Sequence, residues 1–166
     1  MKTLYFVRHA KSDWSFPGLS DHDRPLNERG RRDAPKMASK LSALLPQPKL
    51  LVSSTALRAY TTATYFANAM NIKLDAIIKK KELYEASEKQ IFRVIQQLPE
   101  DIDVVMLFGH NPTLTDLANI FASDYIPNIP TCGVFWVQSE TKYWSLLDES
   151  NSKLCDYLFP KMYSNG

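Results

Sequence analysis

The sequence predicts an α/β protein, a three-layer α/β/α sandwich with a mainly parallel central sheet. The first observation is that short apolar runs alternate with segments of helical periodicity over most of the chain. The second is the nearly continuous apolar run at 104–108, which is typical of a central parallel strand covered on both faces. The chain has 166 residues, 45% hydrophobic and 23% charged, which fits one globular domain spanning residues 1–166.

The first strand is predicted over Thr3–Val7. The next segment, residues 10–26, is predicted to be a loop punctuated by Pro17, Gly18 and Pro25. Asn27 is suited to cap a helix that runs to about Leu45. Because Pro35 lies inside this helix, we expect a kink there or a later start of the regular helix.

A second strand and a second helix are predicted in the next segment. The strand is the short apolar run Leu50–Val52, and the helix extends through about Met70. Three hydroxyl residues precede this helix as candidate N-caps: Ser53, Ser54 and Thr55. A third short strand is predicted at Ala76–Ile78.

Two further helices flank the most apolar strand. Helical spacing of apolar residues predicts a helix from about Ser87 to Leu98, and the strand follows at Asp103–Phe108. Asn111 and Pro112 then have the character of an N-cap followed by proline in the first helical position, with the helix ending near Phe121.

The last two strands are predicted at Gly133–Val137 and Tyr143–Leu147, as a hairpin that turns around Glu140 and Thr141. This hairpin would add an antiparallel edge to the sheet. The apolar C-terminal stretch Leu154–Tyr163 can pack on the domain or on a partner, and the sequence leaves both possibilities open.

Polar side chains follow two of the predicted strands directly. Arg8 and His9 come after the first strand, and His110 comes after the strand at 103–108. Because ligands of open α/β sheets bind beyond the carboxyl ends of the strands, we expect these residues to share one edge. An arginine offers a planar fork for phosphate or carboxylate oxygens, and a histidine can be a base, a nucleophile or a metal ligand. A solvated turn and a structural histidine remain alternative interpretations.

Arg58 and the glutamates at 82–85 are further candidates. Arg58 lies in the first turns of the helix predicted after Leu50–Val52, where it can point back toward an anion at the helix N-terminus. Glu82 and Glu85 follow the third predicted strand, and such a carboxyl group can donate a proton if its pKa is raised. A surface arginine and solvated acids are the alternatives.

Several classes of function find no support in the sequence. The net charge of +2 is too small to indicate nucleic-acid or membrane-surface binding. No apolar run approaches the length of about 18 residues that a transmembrane helix requires. The apolar stretch after Lys2 is too short for a signal peptide, so a cytoplasmic location is expected.

Metal and nucleotide sites also lack their usual signatures. The two cysteines, Cys132 and Cys155, have no metal-like spacing and are expected to be reduced thiols. A metal site built from histidines and Glu85 has no supporting ligand spacing, and the chain contains neither a Walker loop nor a G-x-G-x-x-G motif. We therefore expect no metal and no cofactor.

Three segments together resemble the signature of the histidine phosphatase superfamily, also called phosphoglycerate mutase-like. They occur in the family's order and are Arg8-His9-Ala10, Ser54–Thr62 and Gly109–Pro112. In its short length and in the segments 8–14, 21–30 and 83–87, the chain is similar to the SixA-type phosphohistidine phosphatases. Two positions depart from the pattern: Ala10 replaces a glycine and Thr55 replaces a proline.

The resemblance implies a role for each candidate residue. His9 would be the nucleophile, becoming phosphohistidine before water hydrolyses it. Three side chains would bind the phosphoryl oxygens, namely Arg8, Arg58 and His110. Arg24 and Asn111 would add substrate contacts, and Glu85 matches the position of the family's general acid.

The resemblance also implies a substrate class. The chain has no room for the large insertions that cap the pocket of many relatives, so the expected substrate is a protein carrying phosphohistidine. Three alternatives stay open: a phosphatase of small phosphorylated metabolites, a mutase, and a non-catalytic module that binds phosphorylated proteins.

Overall fold

The computed structural model describes residues 1–44 and 46–163, and within them six strands form one mixed sheet. The strands are β1 (Lys2–Arg8), β2 (Leu50–Ser54), β3 (Ile78–Lys80), β4 (Val104–Gly109), β5 (Val134–Ser139) and β6 (Ser152–Leu158). Their order across the sheet is β3-β2-β4-β1-β5-β6. The first four strands are parallel, while β5 and β6 pair antiparallel at one edge. The predicted α/β class with a mainly parallel sheet is confirmed.

Helices cover both faces of this sheet. They are α1 (Glu28–Ser42), α2 (Leu57–Ala69), α3 (Glu88–Gln96) and α4 (Thr113–Phe121). Because side chains alternate along a strand, Tyr5 and Val7 pack against α1 and α2, whereas Leu4 and Phe6 pack on the face covered by α3 and α4. The expected three layers are therefore present.

The start of α1 is built against the loop that follows β1. The Asn27 side chain accepts a hydrogen bond from the Gly30 amide at 2.9 Å, as predicted for an N-cap. A Cβ on Gly30 would overlap the carbonyl oxygen of Lys11, so only glycine allows this close approach. The helix is continuous through Pro35, which makes the expected later start wrong. It ends at Ser42, while Leu45 lies outside the described residues.

The starts of α2 and α4 differ from the predictions. None of the three hydroxyl residues caps α2: the N-cap residue is Ala56, and Ser54 is still part of β2. The Ser54 hydroxyl instead forms a hydrogen bond with His110, which follows β4. At α4, Pro112 is the N-cap residue and not the first helical residue. The Asn111 side chain nevertheless accepts a hydrogen bond from the Thr115 amide at 3.1 Å.

The predicted strand at Tyr143–Leu147 is wrong, because this segment forms a 3-10 turn at Trp144–Leu146. The Trp144 ring is fully buried, and its Nε1 donates to the Ile102 carbonyl oxygen at 2.7 Å. Burial of the Trp144 ring favours a turn over a strand in this segment. The last strand is β6, and the connection between β5 and β6 is longer than the predicted tight turn.

The C-terminal stretch packs on the domain itself. Residues 152–158 pair with β5, and a 3-10 turn follows at Pro160–Tyr163. Tyr163 packs against the core beneath α1 and α2, and the Lys40 ammonium lies 5.0 Å from its ring centroid. Across residues 1–44 and 46–163, no helix is long and apolar enough to span a membrane.

The strand order creates a crevice at the carboxyl ends of β1 and β4. In the sheet register Arg8 pairs with Gly109, so the residues that follow these two strands emerge side by side. The chain leaves β1 through α1 toward β2, and leaves β4 through α4 toward β5, on opposite faces of the sheet. A reversal of this kind is where open α/β sheets place their ligands.

Candidate active site

His9 lies in this crevice and is held rigidly. Its amide donates to the Gly109 carbonyl oxygen at 3.1 Å, and its own carbonyl accepts from the Cys132 amide at 3.0 Å. The next amide, that of Ala10, donates to Thr62 Oγ1 at 3.0 Å. Only 8% of His9 is exposed. Strand β4, helix α2 and the turn before β5 therefore fix the position of one imidazole.

The hydrogen bonding of His9 selects one tautomer. Its Nδ1 lies 2.8 Å from the Ala10 carbonyl oxygen. Because a carbonyl oxygen only accepts, Nδ1 must carry the proton, and Nε2 is left with a free lone pair. Burial, with smaller contributions from His110, Arg58 and Arg8, lowers the pKa of His9 to about 3. The ring is therefore a neutral nucleophile at neutral pH.

Arg8 ends β1 with its guanidinium turned along the edge of the sheet. Its Nη1 donates to the Ile129 carbonyl oxygen at 2.9 Å, whereas its buried Nε has no partner. Burial lowers the pKa of Arg8, but a guanidinium remains charged at neutral pH. The buried Nε–H group of this cation is thus left unpaired.

Arg58, in the first turn of α2, is only 6% exposed. Both of its terminal nitrogens bond to Asp21: Nη1 donates to the Asp21 backbone carbonyl at 2.7 Å and Nη2 to Oδ2 at 3.0 Å. Its Nε is buried without a partner, as in Arg8.

His110 faces His9, with the ring centroids 5.2 Å apart. Its Nε2 lies 2.7 Å from Ser54 Oγ, which also accepts from the Ala56 amide at 3.2 Å. The Ser54 proton is satisfied when it is donated to Nε2, and this places the imidazole proton on Nδ1. Burial and the nearby Arg58 charge lower the pKa of His110 to about 3. His110 is thus a neutral donor, and its Nδ1 is buried with no partner.

These three unpaired donors form the most informative feature of the site. Within the described part of the chain, the buried side-chain nitrogen and oxygen atoms without a hydrogen-bond partner are Arg8 Nε, Arg58 Nε and His110 Nδ1. Buried donors without partners are rare and cost about 1–3 kcal/mol each. All three belong to residues around one neutral histidine, and a tetrahedral oxyanion offers three oxygens to such donors.

The other predicted site residues lie nearby with different surroundings. Glu85 is exposed and lines a small cavity together with His110 and Asn111. Arg24 is 8% exposed, but its nitrogens bond to Asp21 and Ser12. The guanidinium carbon of Arg24 also lies 3.4 Å from the centroid of the Trp14 ring.

The Asn111 amide is used inside the protein. Its Nδ2 donates to the Ile129 carbonyl oxygen and to Asn128, both at 3.1 Å, while its Oδ1 accepts from Thr115. The Ile129 carbonyl is the group that also accepts from Arg8. Asn111 and Arg8 therefore donate to the same carbonyl oxygen, and Asn111 affects the site by holding that carbonyl in place.

Four further site residues were missed by sequence reasoning. Asp21 and Tyr84 bond to each other beside Arg58, Ser54 orients His110, and Thr62 supports the loop after His9. All four lie in segments that carry the family resemblance: Ser54 and Thr62 in 54–62, Asp21 in 21–30 and Tyr84 in 83–87. Sequence reasoning nevertheless assigned none of them a role in the site. No group of three or more His, Cys, Asp or Glu side chains in the described ranges is arranged to hold a metal ion.

Comparisons to known proteins identify the family of this chain. The sequence model of the histidine phosphatase superfamily (branch 1) matches residues 4–107. An uncharacterized chloroplast protein of Arabidopsis thaliana is 30% identical over 155 residues, which cover 86% of this chain and 69% of the relative.

Two solved structures are similar over nearly the whole chain. A protein from Agrobacterium tumefaciens that is assigned as the phosphohistidine phosphatase SixA is 30% identical, with a TM-score of 0.79 over 96% of this chain and 98% of its own. The histidine phosphatase SixA in complex with tungstate has the same fold, with a TM-score of 0.80 at 21% identity and coverage of 96% and 98%. The chain belongs to the histidine phosphatase superfamily.

Proposed function

We propose that this protein is a phosphatase that removes the phosphoryl group from phosphohistidine in proteins, through a phosphohistidine intermediate on its own His9. The observation that carries the proposal is the set of three unpaired donors around a neutral imidazole whose Nε2 lone pair is free. Family membership supports phosphatase activity in general. The 30% identity to the assigned SixA protein supports the phosphohistidine substrate.

The first chemical step is the transfer of the phosphoryl group to His9. The Nε2 lone pair attacks phosphorus in line, a new N–P bond forms, and the substrate N–P bond breaks. The bonding pair stays with the substrate nitrogen. Since a phosphohistidine ring protonated on its other nitrogen leaves as neutral imidazole, this leaving group needs little help from an acid. The depressed pKa of His9 keeps the attacking nitrogen unprotonated.

The second step is hydrolysis of phosphohistidine at His9. Water attacks phosphorus, the P–Nε2 bond breaks, and Nε2 recovers its lone pair while one water proton is released. In both steps the phosphoryl oxygens accept hydrogen bonds from Arg8, Arg58 and His110, whose buried N–H groups have no partner within the protein. Losing one preorganised donor of this kind typically costs about 3 kcal/mol of transition-state stabilisation.

A group of exposed apolar side chains beside the site supports a protein substrate over a small metabolite. Within one loop, Trp14 is 72% exposed, Phe16 52% and Leu19 42%; we call these three residues the apolar loop. The loop is tied to the site because Trp14 stacks on Arg24, which bonds to Asp21. Adjacent exposed apolar residues mark interaction surfaces, and a protein substrate could bury them while its phosphoryl group reaches His9.

The remaining predicted residues receive supporting roles in the proposal. Arg24 holds Asp21, and Asn111 holds the Ile129 carbonyl, so both affect substrate binding through their neighbours. Glu85 lies at the rim, where it can protonate an alcohol leaving group that phosphohistidine does not require. The cytoplasmic location stays a prediction from the sequence.

The proposal is tested by measuring phosphate release from a protein phosphorylated on histidine, in the presence of EDTA, beside phosphoserine peptides and sugar phosphates. We expect the highest kcat/KM with the phosphohistidine protein and no release by His9→Ala, with the His9→Ala fold verified by circular dichroism. Preference for a small phosphate monoester would assign the protein to the metabolite phosphatases instead. Tight phosphate binding without turnover of any substrate would contradict the enzyme proposal.

A further inference from the structure

A carboxylate and a phenol outside the predicted site residues control the direction of the Arg58 guanidinium. Asp21 Oδ2 accepts from Arg58 Nη2 at 3.0 Å and from the Tyr84 hydroxyl at 2.6 Å. The Asp21 backbone carbonyl accepts from Arg58 Nη1 at 2.7 Å. Both terminal nitrogens of the guanidinium are therefore used, and Nε is the buried nitrogen without a partner.

Asp21 is itself fixed from the opposite side. Its Oδ1 accepts from Arg24 Nε at 3.1 Å and lies 3.0 Å from Arg24 Nη2. Arg24 is anchored in turn by Nη1, which donates to Ser12 Oγ at 2.5 Å, and by its stacking on Trp14. The carboxylate thus has little freedom to leave Arg58.

Tyr84 connects Asp21 to a different part of the chain. It follows the 3-10 turn Lys81–Leu83 after β3, whereas Asp21 lies between β1 and α1. The Tyr84 ring centroid is 5.6 Å from that of His110 and 4.8 Å from that of His22. The Asp21–Tyr84 hydrogen bond therefore joins the two loops that flank Arg58 and His110.

At neutral pH the ionisation states of Asp21 and Tyr84 favour the hydrogen bond between them. The hydrogen bond from Tyr84 is the largest cause that lowers the pKa of Asp21, to about 2, and the Arg58 charge contributes. Burial and the Asp21 carboxylate raise the pKa of Tyr84 to about 12. At neutral pH Asp21 accepts and Tyr84 donates.

From this network we infer that Asp21 and Tyr84 are positioning residues, which hold Arg58 so that its Nε–H points at the phosphoryl group. The inference rests on the proposed function, since it assigns the direction of one phosphoryl donor. A guanidinium has several N–H edges, and a free side chain can present any of them. Fixing one edge before the substrate arrives supplies the preorganisation on which transition-state stabilisation depends.

The test combines kinetics with a resonance that reports on Arg58 directly. Variants are Asp21→Ala, Asp21→Asn and Tyr84→Phe, and the matched control is Asp23→Asn, an exposed acid of the same turn whose carboxylate contacts His22. The NMR signal of Arg58 Nε–H, assigned by its loss in Arg58→Lys, is followed while inorganic phosphate is added.

In the wild type and in Asp23→Asn, we expect phosphate to shift the Arg58 Nε–H signal downfield. In Asp21→Ala the shift is lost and kcat falls about 30-fold, part of the 10²–10³-fold effect of removing one such donor. Asp21→Asn keeps one acceptor oxygen, so it should recover part of the Nε–H shift and part of the lost kcat. Tyr84→Phe keeps both Arg58–Asp21 bonds and should lose only a few-fold in kcat.

Tighter phosphate binding with unchanged or faster turnover in Asp21→Ala and Asp21→Asn would overturn the inference. In that case Asp21 competes with the phosphoryl group for Arg58. An unshifted Nε–H signal in a wild-type protein that binds phosphate would overturn it as well. If the wild type shows the shift but hydrolyses no phosphoryl substrate, the proposed function fails while the positioning role is retained.

Discussion

Two cations stand at opposite ends of strand β1: Lys2 is fully buried and all its donors are used, whereas Arg8 is half-buried and keeps one buried donor without a partner. Lys2 is 1% exposed, and its ammonium donates to the carbonyl oxygens of Glu100 at 2.8 Å and Ile102 at 3.2 Å, and to Asp103 Oδ1 at 2.9 Å. All three protons of the ammonium are used, and the group also lies 5.2 Å from the centroid of the Trp144 ring.

Arg8, at the other end, has only one bond from Nη1 to a carbonyl oxygen, and its Nε is unpaired. A buried cation whose donors are all satisfied belongs to the structure. A cation with a buried donor left unpaired is prepared for a ligand, since an unmade hydrogen bond in the interior is costly. Counting the hydrogen bonds of each cation therefore separates the two roles.

The largest expected effect separates the two cations directly. Arg8→Ala should lower kcat/KM at least about 100-fold, because a directed phosphoryl donor is lost. Lys2→Met should instead lower the free energy of unfolding by about 1–3 kcal/mol, because the Glu100 carbonyl oxygen loses its donor, whereas that of Ile102 keeps the Trp144 indole. Phosphate release per folded molecule and urea unfolding measure the two effects. A Lys2→Met protein that is as stable as the wild type but inactive would contradict the assignment of a structural role to Lys2.

The pH dependence of stability should come from the histidine end of the strand. Folding lowers the pKa of His9 and of His110 from 6.5 to about 3, so the folded state binds fewer protons than the unfolded chain between these values. Their contribution to stability is complete above 6.5 and is lost as the pH falls toward 3. Ring resonances of His9 or His110 that titrate near 6.5 in the folded protein would contradict this.

Urea unfolding over the same pH range gives the matching thermodynamic measurement. The wild type and Lys2→Met should lose stability in parallel as the pH falls below 6.5, because both retain the two histidines. His9→Gln should lose less over that range, because one of the two groups no longer titrates. If the free energy of unfolding falls with pH at the same slope in all three proteins, the protons are taken up by groups other than His9.

A smaller effect concerns the exposed apolar residues at each end of the sheet. The double variant Phe16→Ser, Leu19→Ser removes two members of the apolar loop and should raise KM for a phosphohistidine protein about tenfold. The same variant should hydrolyse a small phosphoramidate normally. Leu146→Ser is the control: Leu146 is 60% exposed in the turn that begins with Trp144, on the Lys2 side. Equal losses on the small and the protein substrate would show that the loop only supports the site.

The smallest effect is expected at Glu85. Because phosphohistidine leaves without strong acid assistance, Glu85→Gln should keep nearly the full rate on that substrate and lose about tenfold or more on phosphate monoesters. The ratio of the two kcat values measures this directly. Equal losses on both substrate classes would refute the assignment of Glu85 to the leaving group.

The sequence was sufficient to predict the residues that follow directly from strand ends. Arg8, His9 and His110 were predicted because buried strands have a clear apolar signal, and parallel strands end at one edge. Tyr143–Leu147 was predicted as a strand because apolar spacing cannot distinguish a strand from a turn that buries one large ring, such as Trp144.

Long-range hydrogen bonds were beyond sequence reasoning. Asp21 contacts Arg58 and Tyr84, which lie 37 and 63 residues away in the chain, and no local pattern encodes either contact. Arg24 was expected to contact the substrate, yet its guanidinium holds Asp21. Whether an arginine binds a substrate or another side chain depends on what the folded chain places beside it.

The central claim is that Nε2 of His9 carries the phosphoryl group during turnover, and trapping that intermediate tests it most directly. Wild-type protein is mixed with a phosphohistidine protein labelled with radioactive phosphate, quenched within the first turnover, and mapped by peptide analysis and phosphorus–nitrogen NMR. We expect an acid-labile label on Nε2 of His9, because Nδ1 is bonded to the Ala10 carbonyl oxygen, and no label in His9→Ala. A label on His110 or on Nδ1 of His9, or phosphate release by His9→Ala, would contradict it.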